Sequence, residues 1–316
     1  MAAEELLESW NDTDTRRAIV DFVDAVAGEG PDVVPPEERV AVFDNDGTLW
    51  TEKPMPTQLH YIVKKWREQM AADPSLAERQ PYQAVASGDL AWLGRAIDKH
   101  YSGDDSDLRL IIKEILQITA NRTVDDYAAE IADFYRDEEH LELQRPYSEA
   151  VYQPMVELLR YLEANHFTTY IVSGGERDFM RPMSTSYYGI PPERVIGSST
   201  GLQYVEDDSG GDVLYGASFA FFDDGPEKPV RIWSRIGRRP IMASGNANGD
   251  VPMLRFVQRH PRSLSLLIHH DDDTDRGDTP YTSGADQAME AAAKHGFVKV
   301  SVKHDWAQVF AQPPSA

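Results

Sequence analysis

The sequence contains no cysteine among its 316 residues, which excludes disulfides, thiolate metal sites, iron–sulfur clusters and a cysteine nucleophile in one step. Positive charge is scarce: 31 Lys and Arg stand against 53 Asp and Glu, for a formal net charge of -22. Such a field repels nucleic acid and anionic membranes, so neither is an expected partner. No apolar run approaches the ~20 residues needed to span a bilayer. The first stretch, with Glu4, Glu5, Glu8, Asp12 and Asp14, is acidic where a signal peptide would be basic and then apolar. These absences predict a soluble, cytoplasmic protein. If it binds an anion, it must do so with a local cation, a metal or oriented backbone N–H groups.

What is present is an ordinary globular composition, 41% hydrophobic and 27% charged, in a chain long enough for one large domain with an insertion or for two domains. Ile19, Phe22, Val23 and Val26 have helical spacing and are followed by Gly28 and Gly30. The apolar run Val40-Ala41-Val42-Phe43 then stops at Asp44-Asn45-Asp46-Gly47, as a buried strand ending in a polar loop does. Residues 54–146 are almost entirely helical in pattern, with amphipathic stretches marked by Leu59, Ile62, Val63, Trp66 and Met70, by Leu90, Leu93 and Ile97, by Leu108, Ile111, Ile112, Ile115 and Leu116, and by Val124, Tyr127, Ile131 and Phe134. Four such segments predict a small helical bundle.

Beyond Pro154 helices alternate with strands. Helix 155–165 leads into strand 168–172, which ends at Ser173-Gly174-Gly175, and a helix near 179–188 precedes a short strand at 195–196. Two segments around the turn Asp207-Asp208-Ser209-Gly210-Gly211 read as a β-hairpin. Helix 230–236, strand 240–243, a helix from 251, strands 264–268 and 298–302 and a last short helix follow, and the tail from Gln312 reads as frayed. The expected fold class is α/β: a Rossmann-like parallel sheet with helices on both faces, plus an all-helical second domain.

Ligands of open α/β sheets bind at the carboxyl ends of the strands. The polar residues there are Asp44 and Asp46, Ser173, the segment from Asn246 to Asp250, and the segment from His269 to Asp273. Asp44 and Asp46 flank Asn45 in a loop where Gly47 lets the backbone turn and Thr48 can hydrogen-bond a carboxylate. Two close carboxylates repel, and a divalent cation or a shared proton is the natural way to hold them. One can serve as nucleophile while the other handles protons. Taken alone, an Asp-x-Asp-Gly is more often a solvated turn.

The segment from Val42 to Leu49 resembles the first motif of the haloacid dehalogenase superfamily, a strand followed by Asp-x-Asp-x-Thr. Three further motifs of that family appear in order: Ile171-Val172-Ser173-Gly174-Gly175, then Lys228, then Gly245-Asn246-Ala247-Asn248-Gly249-Asp250. The resemblance is to the phosphoserine-phosphatase-like branch, with a helical cap inserted after the first motif. It implies a core of residues 1–52 and 148–316 and a cap of residues 53–147, with hinges near 51–56 and 145–147.

The resemblance further implies that Asp44 is the nucleophile of an aspartyl-phosphate intermediate and that Asp46 is the acid/base. Ser173 would then hydrogen-bond a phosphate oxygen and Lys228 would neutralise charge on phosphate and nucleophile. A carboxylate cannot approach a dianionic phosphate unless the repulsion is screened, so Mg²⁺ is the expected cofactor. Its expected ligands are Asp44, Asp46 through its backbone carbonyl, Asn246 and Asp250. Thr48, Gly174, Gly175 and Arg177 are expected at the substrate. Family members that cleave carbon–halogen bonds lack the second aspartate, and the ion-pumping members carry Lys-Thr-Gly-Thr after the nucleophile, so both activities are disfavoured.

The fourth motif departs from the family pattern, which usually has Gly-Asp where this chain has Gly245-Asn246. An amide offers Mg²⁺ an oxygen but no charge. Arg231, Arg235, Arg238 and Arg239 are the one basic cluster and read as partners of surface acids. His269-His270-Asp271-Asp272-Asp273 reads as a solvated loop, because adjacent side chains at a strand end point opposite ways. Trp66, Trp92, Tyr61, Tyr82 and Tyr101 fall at helical spacing and read as bundle core rather than as a binding box.

Two residues beside the first motif bear on the substrate. Glu52 sits about where the resembling branch places a glutamate facing a substrate amine, and Trp50 is placed to stack on a quaternary ammonium. The expected function is a Mg²⁺-dependent phosphatase acting on a small phosphate ester. A phosphomutase and a non-catalytic phosphate-binding or regulatory protein stand as alternatives, and the oligomeric state is left open.

Overall fold

The computed structural model describes residues 6–101 and 103–311, without the side chains of residues 97, 98, 100 and 101. The tail from Gln312, the acidic residues Glu4 and Glu5, and the side chains of Ile97 and Tyr101 therefore lie outside the described residues. Among the described residues no helix is long and apolar enough to cross a membrane. The chain forms two compact units, 1–54 with 135–198 and 222–316, and 55–134 with 199–221.

The first unit is built on β1 (Val40–Phe43), whose four residues are all buried. A strand covered on both faces must be apolar on both, which is why no alternation is visible in its sequence. Parallel neighbours flank it: β2 (Thr168–Glu176) on one side and β5 (Met242–Gly245) on the other. Beyond β5 lie β6 (Leu264–His269) and β7 (Val298–Ser301), both parallel. Beyond β2 lies β3 (Val195–Asp207), also parallel to it. The sheet order is β4-β3-β2-β1-β5-β6-β7, with β4 (Gly210–Phe221) antiparallel to β3, so the seven-stranded sheet is mostly rather than wholly parallel.

Helices α1 (Asp14–Ala27), α7 (Gln153–Ala164), α8 (Arg177–Tyr188), α9 (Glu227–Ile236), α10 (Val251–Val257), α11 (Asp286–His295) and the short α12 (Val302–Asp305) complete this unit. The start of α1 is fixed by Thr13, whose side chain accepts from the Arg16 N–H, with Asp14 in the first turn. Val40, Val42, Val172, Ala243 and Leu267 of the sheet pack with Ile232 of α9 and Met253, Leu254 and Val257 of α10 in one buried cluster. The sequence reading passes over α11, because its inward face consists of Ala288, Ala291 and Ala292 and carries little apolar contrast.

The second unit contains α2 (Thr57–Ala72), α3 (Tyr82–Ser87), α4 (Ala91–Tyr101), α5 (Ser106–Thr119) and the first part of α6 (Val124–Asp137). Its interior is aromatic: Tyr61 meets Phe134 edge-on at 5.4 Å and Trp66 lies 5.8 Å from Tyr82. Trp66, Tyr61 and Tyr82 are thus buried as bundle core, while Trp92 is half-buried. Glu114 is buried beside them and accepts from Arg79 at 2.8 Å and from the Tyr82 hydroxyl at 3.1 Å.

Apart from a two-residue shift at 53–54, the expected division into 1–52 with 148–316 and 53–147 and the compact units differ at two places. The hairpin arm 199–221 belongs with the helices, because Asn121 and Arg122 exchange backbone hydrogen bonds with Tyr215 at 2.9 Å each and Tyr127 packs on the Tyr215 ring at 5.2 Å. Residues 135–147 belong with the sheet unit, where Tyr135 and Tyr147 pack on Trp50. The strand expected at 195–196 runs on to Asp207, since its outer half is exposed and lacks the apolar signal that marks a buried strand.

Candidate active site

The chain passes from β1 outward through β2 and β3, then crosses to β5, β6 and β7 on the other side, so β1 lies at the topological switch point. In open α/β sheets the loops at the carboxyl ends diverge at such a point, which is where ligands bind. Pairing of Phe43 with both Ile171 and Ser244 sets Asp44, Ser173 and Asn246 at neighbouring strand ends. The Asp44 N–H continues the ladder to the Ser244 carbonyl at 2.9 Å.

Lys228, near the start of α9, is 2% exposed. Its ammonium donates to Asp44 Oδ1 at 2.7 Å, to Asp250 Oδ1 at 2.6 Å and to the Val172 carbonyl at 3.2 Å. Burial and the nearby Asp250 push the Asp44 pKa well above the usual carboxylate range, although Lys228 pulls the other way. Burial also works against the lysine's own charge, but Asp250 and Asp44 outweigh it and hold the ammonium protonated. Asp250 Oδ2 accepts the backbone N–H groups of Asn246 and Ala247, each at 2.9 Å. Both oxygens of Asp250 are therefore committed to Lys228 and to the turn of the fourth motif. Asp44 Oδ2 makes no hydrogen bond to the described residues.

The loop after Asp44 closes on itself, with the Gly47 N–H on the Trp50 carbonyl at 2.9 Å and the Trp50 N–H on the Asn45 carbonyl at 3.3 Å. Gly47 has φ +73° and an added Cβ would stand 2.1 Å from Asn246 Nδ2, so only glycine fits. Asp46, half-buried, accepts the Trp50 indole N–H on Oδ1 at 2.8 Å. Desolvation in the site pushes its pKa up to about 6.

Asn246 sits where the family pattern expects a carboxylate. Its Oδ1 accepts from the Thr48 hydroxyl at 3.0 Å, and its Nδ2 donates to Glu52 Oε1 at 3.4 Å and to the Tyr281 hydroxyl at 3.3 Å. A carboxylate only accepts, so Glu52 fixes which end of the amide faces it. Asn248 lies elsewhere in function: its amide donates to Asp286 and accepts from the Ala288 N–H, tying the fourth motif to α11.

Of the other expected residues, Ser173 is buried and its hydroxyl accepts the Gly175 N–H at 3.1 Å, while the Gly174 carbonyl accepts from Ser198 at 2.7 Å. Arg177 directs its Nε and Nη2 to its neighbour Asp178 at 3.0 and 2.8 Å, and Arg181 joins the same carboxylate at 2.8 Å. Trp50 is 1% exposed and packed among Tyr135, Tyr147 and Tyr187 with centroids 6.0, 6.2 and 6.5 Å away, so its ring face is covered by protein.

His270 corrects the solvated-loop reading of the acidic stretch after β6. It is buried, with Nδ1 2.9 Å from Asp278 Oδ2 and Nε2 2.8 Å from the Gly47 carbonyl. Tyr152 donates to the other oxygen of Asp278 at 3.0 Å, and the Tyr281 ring stacks on the imidazole at 4.5 Å. Burial opposes the charge on His270, but Asp278 raises its pKa overall. Asp223, also missed, is fully buried, neither of its oxygens has a hydrogen-bond partner among the described residues, and burial pushes its pKa up to about 7. His270 stands at a strand end, the same signal that singled out Asp44. Asp278 and Tyr281 lie in a stretch without periodicity and leave no such signal.

The family model of haloacid dehalogenase-like hydrolases matches residues 41–255, from β1 through the fourth motif into α10. The chain belongs to this family. Among solved structures, this haloacid dehalogenase-like hydrolase is similar to a protein described as of unknown function from Bordetella pertussis Tohama I, at 15% identity and TM-score 0.53 over 83% of this chain and 98% of that one. A conserved, functionally unknown protein from Anaerococcus prevotii DSM 20548 is similar at 16% identity and TM-score 0.53, over 95% and 94% of the two chains. A phosphoserine phosphohydrolase-like protein from Francisella tularensis subsp. tularensis SCHU S4 aligns at 14% identity and TM-score 0.36, over 75% and 90%. No curated protein matches the sequence. At these identities the first two likenesses speak to the fold alone.

Proposed function

We propose that this haloacid dehalogenase-like hydrolase is a phosphatase that removes the phosphoryl group from a small phosphorylated metabolite. The observation that carries this reading is the buried Lys228 bridging Asp44 and Asp250, with the half-buried Asp46 two residues further along the same loop. A carboxylate nucleophile and a second carboxylate able to carry a proton suit phosphoryl transfer, in which positioning and charge stabilisation supply most of the rate.

In this mechanism an Asp44 carboxylate oxygen attacks phosphorus, forming an aspartyl-phosphate as the P–O bond to the leaving alcohol breaks. Asp46 gives its proton to the departing oxygen. It then takes a proton from water as that water attacks the aspartyl-phosphate and releases the Asp44 carboxylate with inorganic phosphate. A pKa of about 6 lets Asp46 exchange a proton in both directions near neutral pH. Lys228 holds Asp44 in place and offsets the negative charge that gathers there. Ser173, Gly174 and Gly175 lie at the end of β2 beside the strand that carries Asp44, and in this reading the Ser173 hydroxyl donates to a phosphate oxygen.

The donor set suits Mg²⁺. Asp44 Oδ2 has no hydrogen-bond partner among the described residues, and the Asp46 carbonyl and Asn246 Oδ1 are further hard oxygen donors of the kind this ion takes. Among the described residues no group of three or more His, Asp and Glu side chains converges to hold an ion, so the protein would contribute one carboxylate and leave the rest to neutral oxygens and substrate phosphate. When bound, Mg²⁺ would screen the repulsion between Asp44 and a dianionic ester. Asp250 is better assigned to Lys228 and the backbone turn than to the metal, since both its oxygens are taken.

Phosphate release from p-nitrophenyl phosphate and a panel of small esters, with Mg²⁺ and with EDTA, tests this reading. Metal-dependent release by the wild type that Asp44→Asn eliminates is the expected result. Folded wild type that releases phosphate from no ester would favour the non-catalytic alternative, and Asn246 would be the first residue to examine.

A further inference from the structure

Trp50 reaches back four residues to place its indole N–H on Asp46 Oδ1 at 2.8 Å. Its backbone is pinned on both sides, the N–H on the Asn45 carbonyl and the carbonyl on the Gly47 N–H, and Trp50 also bridges to Val151. Its ring is wedged against Tyr135 at 46°, Tyr147 at 48° and Tyr187 at 62°. Tyr135 is itself held through its hydroxyl on the Phe179 carbonyl at 3.3 Å, so the packing behind the indole is anchored to α8.

An indole N–H can only donate, so the oxygen it touches must accept. Oδ1 of Asp46 is thereby kept unprotonated in both ionisation states of the carboxyl group. Oδ2 makes no hydrogen bond to the described residues and is the oxygen left to carry a proton. We propose that Trp50 is a positioning residue for proton transfer: by occupying Oδ1 it holds the Asp46 carboxyl plane and confines the transferable proton to Oδ2. This rests on the phosphatase reading above and adds to it the residue that aims the acid. It also gives Trp50 a task other than stacking on substrate, which its covered ring does not offer.

The proton balance makes the inference measurable. In the first half-reaction the proton on Oδ2 moves to the leaving oxygen as the P–O bond breaks, and a misaimed carboxyl group slows that transfer. An alkyl phosphate, whose alkoxide is a poor leaving group, depends strongly on it. p-Nitrophenyl phosphate, whose phenolate leaves readily, depends on it far less.

Trp50→Phe keeps an aromatic ring and removes the N–H. The test compares single-turnover rates of wild type and W50F on glycerol phosphate and on p-nitrophenyl phosphate. The expected loss on the alkyl ester exceeds that on the aryl ester by roughly tenfold or more, within the range general acid catalysis supplies. Equal losses on both esters would mean that Trp50 only supports packing, and would overturn the proposal, as would no loss on either.

No release by the wild type from either ester would sink the phosphatase reading and this inference together. That outcome is distinct from a working wild type with an unchanged ratio. Should W50F fail to fold, the indole N–H resonances of ¹⁵N-tryptophan-labelled wild type and Asp46→Ala carry the test. One of the six tryptophan signals is expected to move on the substitution, and a spectrum in which none moves would overturn the proposal.

Discussion

Lys228 and Asp44 form a buried ion pair, ammonium to Oδ1 at 2.7 Å, and the lysine is shared with Asp250 at 2.6 Å on its other side. Two carboxylates thus face one cation. Removing the cation leaves two buried like charges, whereas removing Asp44's charge leaves a matched pair. Lys228→Met is accordingly expected to abolish turnover and to cost about 3–5 kcal/mol of stability. Asp44→Asn is expected to abolish turnover with stability equal to or above wild type. Urea denaturation beside phosphate-release assays on both variants checks the contrast, and an equally destabilised D44N would contradict it.

Asn246 and Glu52 define a second relationship with a measurable outcome. With Nδ2 3.4 Å from Glu52 Oε1, Asn246→Asp sets two carboxylates against each other. Without metal the variant is expected to melt below wild type. Added Mg²⁺ is expected to raise its melting temperature by more than it raises that of the wild type, because the ion gains a charged ligand. Thermal unfolding across a Mg²⁺ titration reads both effects, and an unchanged metal response would remove Asn246 from the ligand set.

Asp223 predicts a pH dependence of stability. Its folded-state pKa lies above the ordinary value, 3.8 raised to about 7, so the native state holds the proton more tightly than the unfolded chain. The wild type therefore loses stability as pH rises through that interval. Asp223→Asn removes the titration. Its unfolding free energy relative to wild type, from urea denaturation, is expected to climb between pH 4 and pH 8, reaching an advantage of a few kcal/mol at the upper end. A difference independent of pH would show that the carboxyl group ionises normally.

His270 carries the same sign, through a charged rather than a neutral protonated form. A histidine whose pKa is raised by folding contributes stability that is fully present below its unfolded value and is lost as pH rises through its folded value. His270→Phe strands Asp278 and the Gly47 carbonyl, at a cost of about 3 kcal/mol in acid. That cost is expected to shrink as pH rises above the ordinary range of histidine. Because the Gly47 carbonyl belongs to the loop of Asp44 and Asp46, turnover is expected to fall as well. Denaturation of the variant at several pH values, with phosphate release alongside, tests both statements.

Much of this molecule is written in local pattern. Four consecutive buried residues make β1 legible because a strand covered on both faces must be apolar throughout. Asp44, Ser173 and Asn246 are legible because polar residues that end apolar runs mark the carboxyl edge of a parallel sheet. The helices of the second unit are legible because their buried residues recur with the helical period.

What tertiary structure alone decided is how side chains far apart in sequence share donors and exclude water. The imidazole of His270 stands at the end of β6 in the sequence, but its burial depends on Asp278, Tyr152 and Gly47 meeting around it. Which end of the Asn246 amide points where depends on Glu52 and Thr48, almost two hundred positions earlier. The hairpin strand β4 belongs with the helices of 55–134 because Tyr215 finds its partners at 121, 122 and 127. Periodicity reports which face of a segment is apolar. It carries no record of which polar atom will lie across from another, because that pairing is fixed only when the segments pack and each buried donor or acceptor must find a partner.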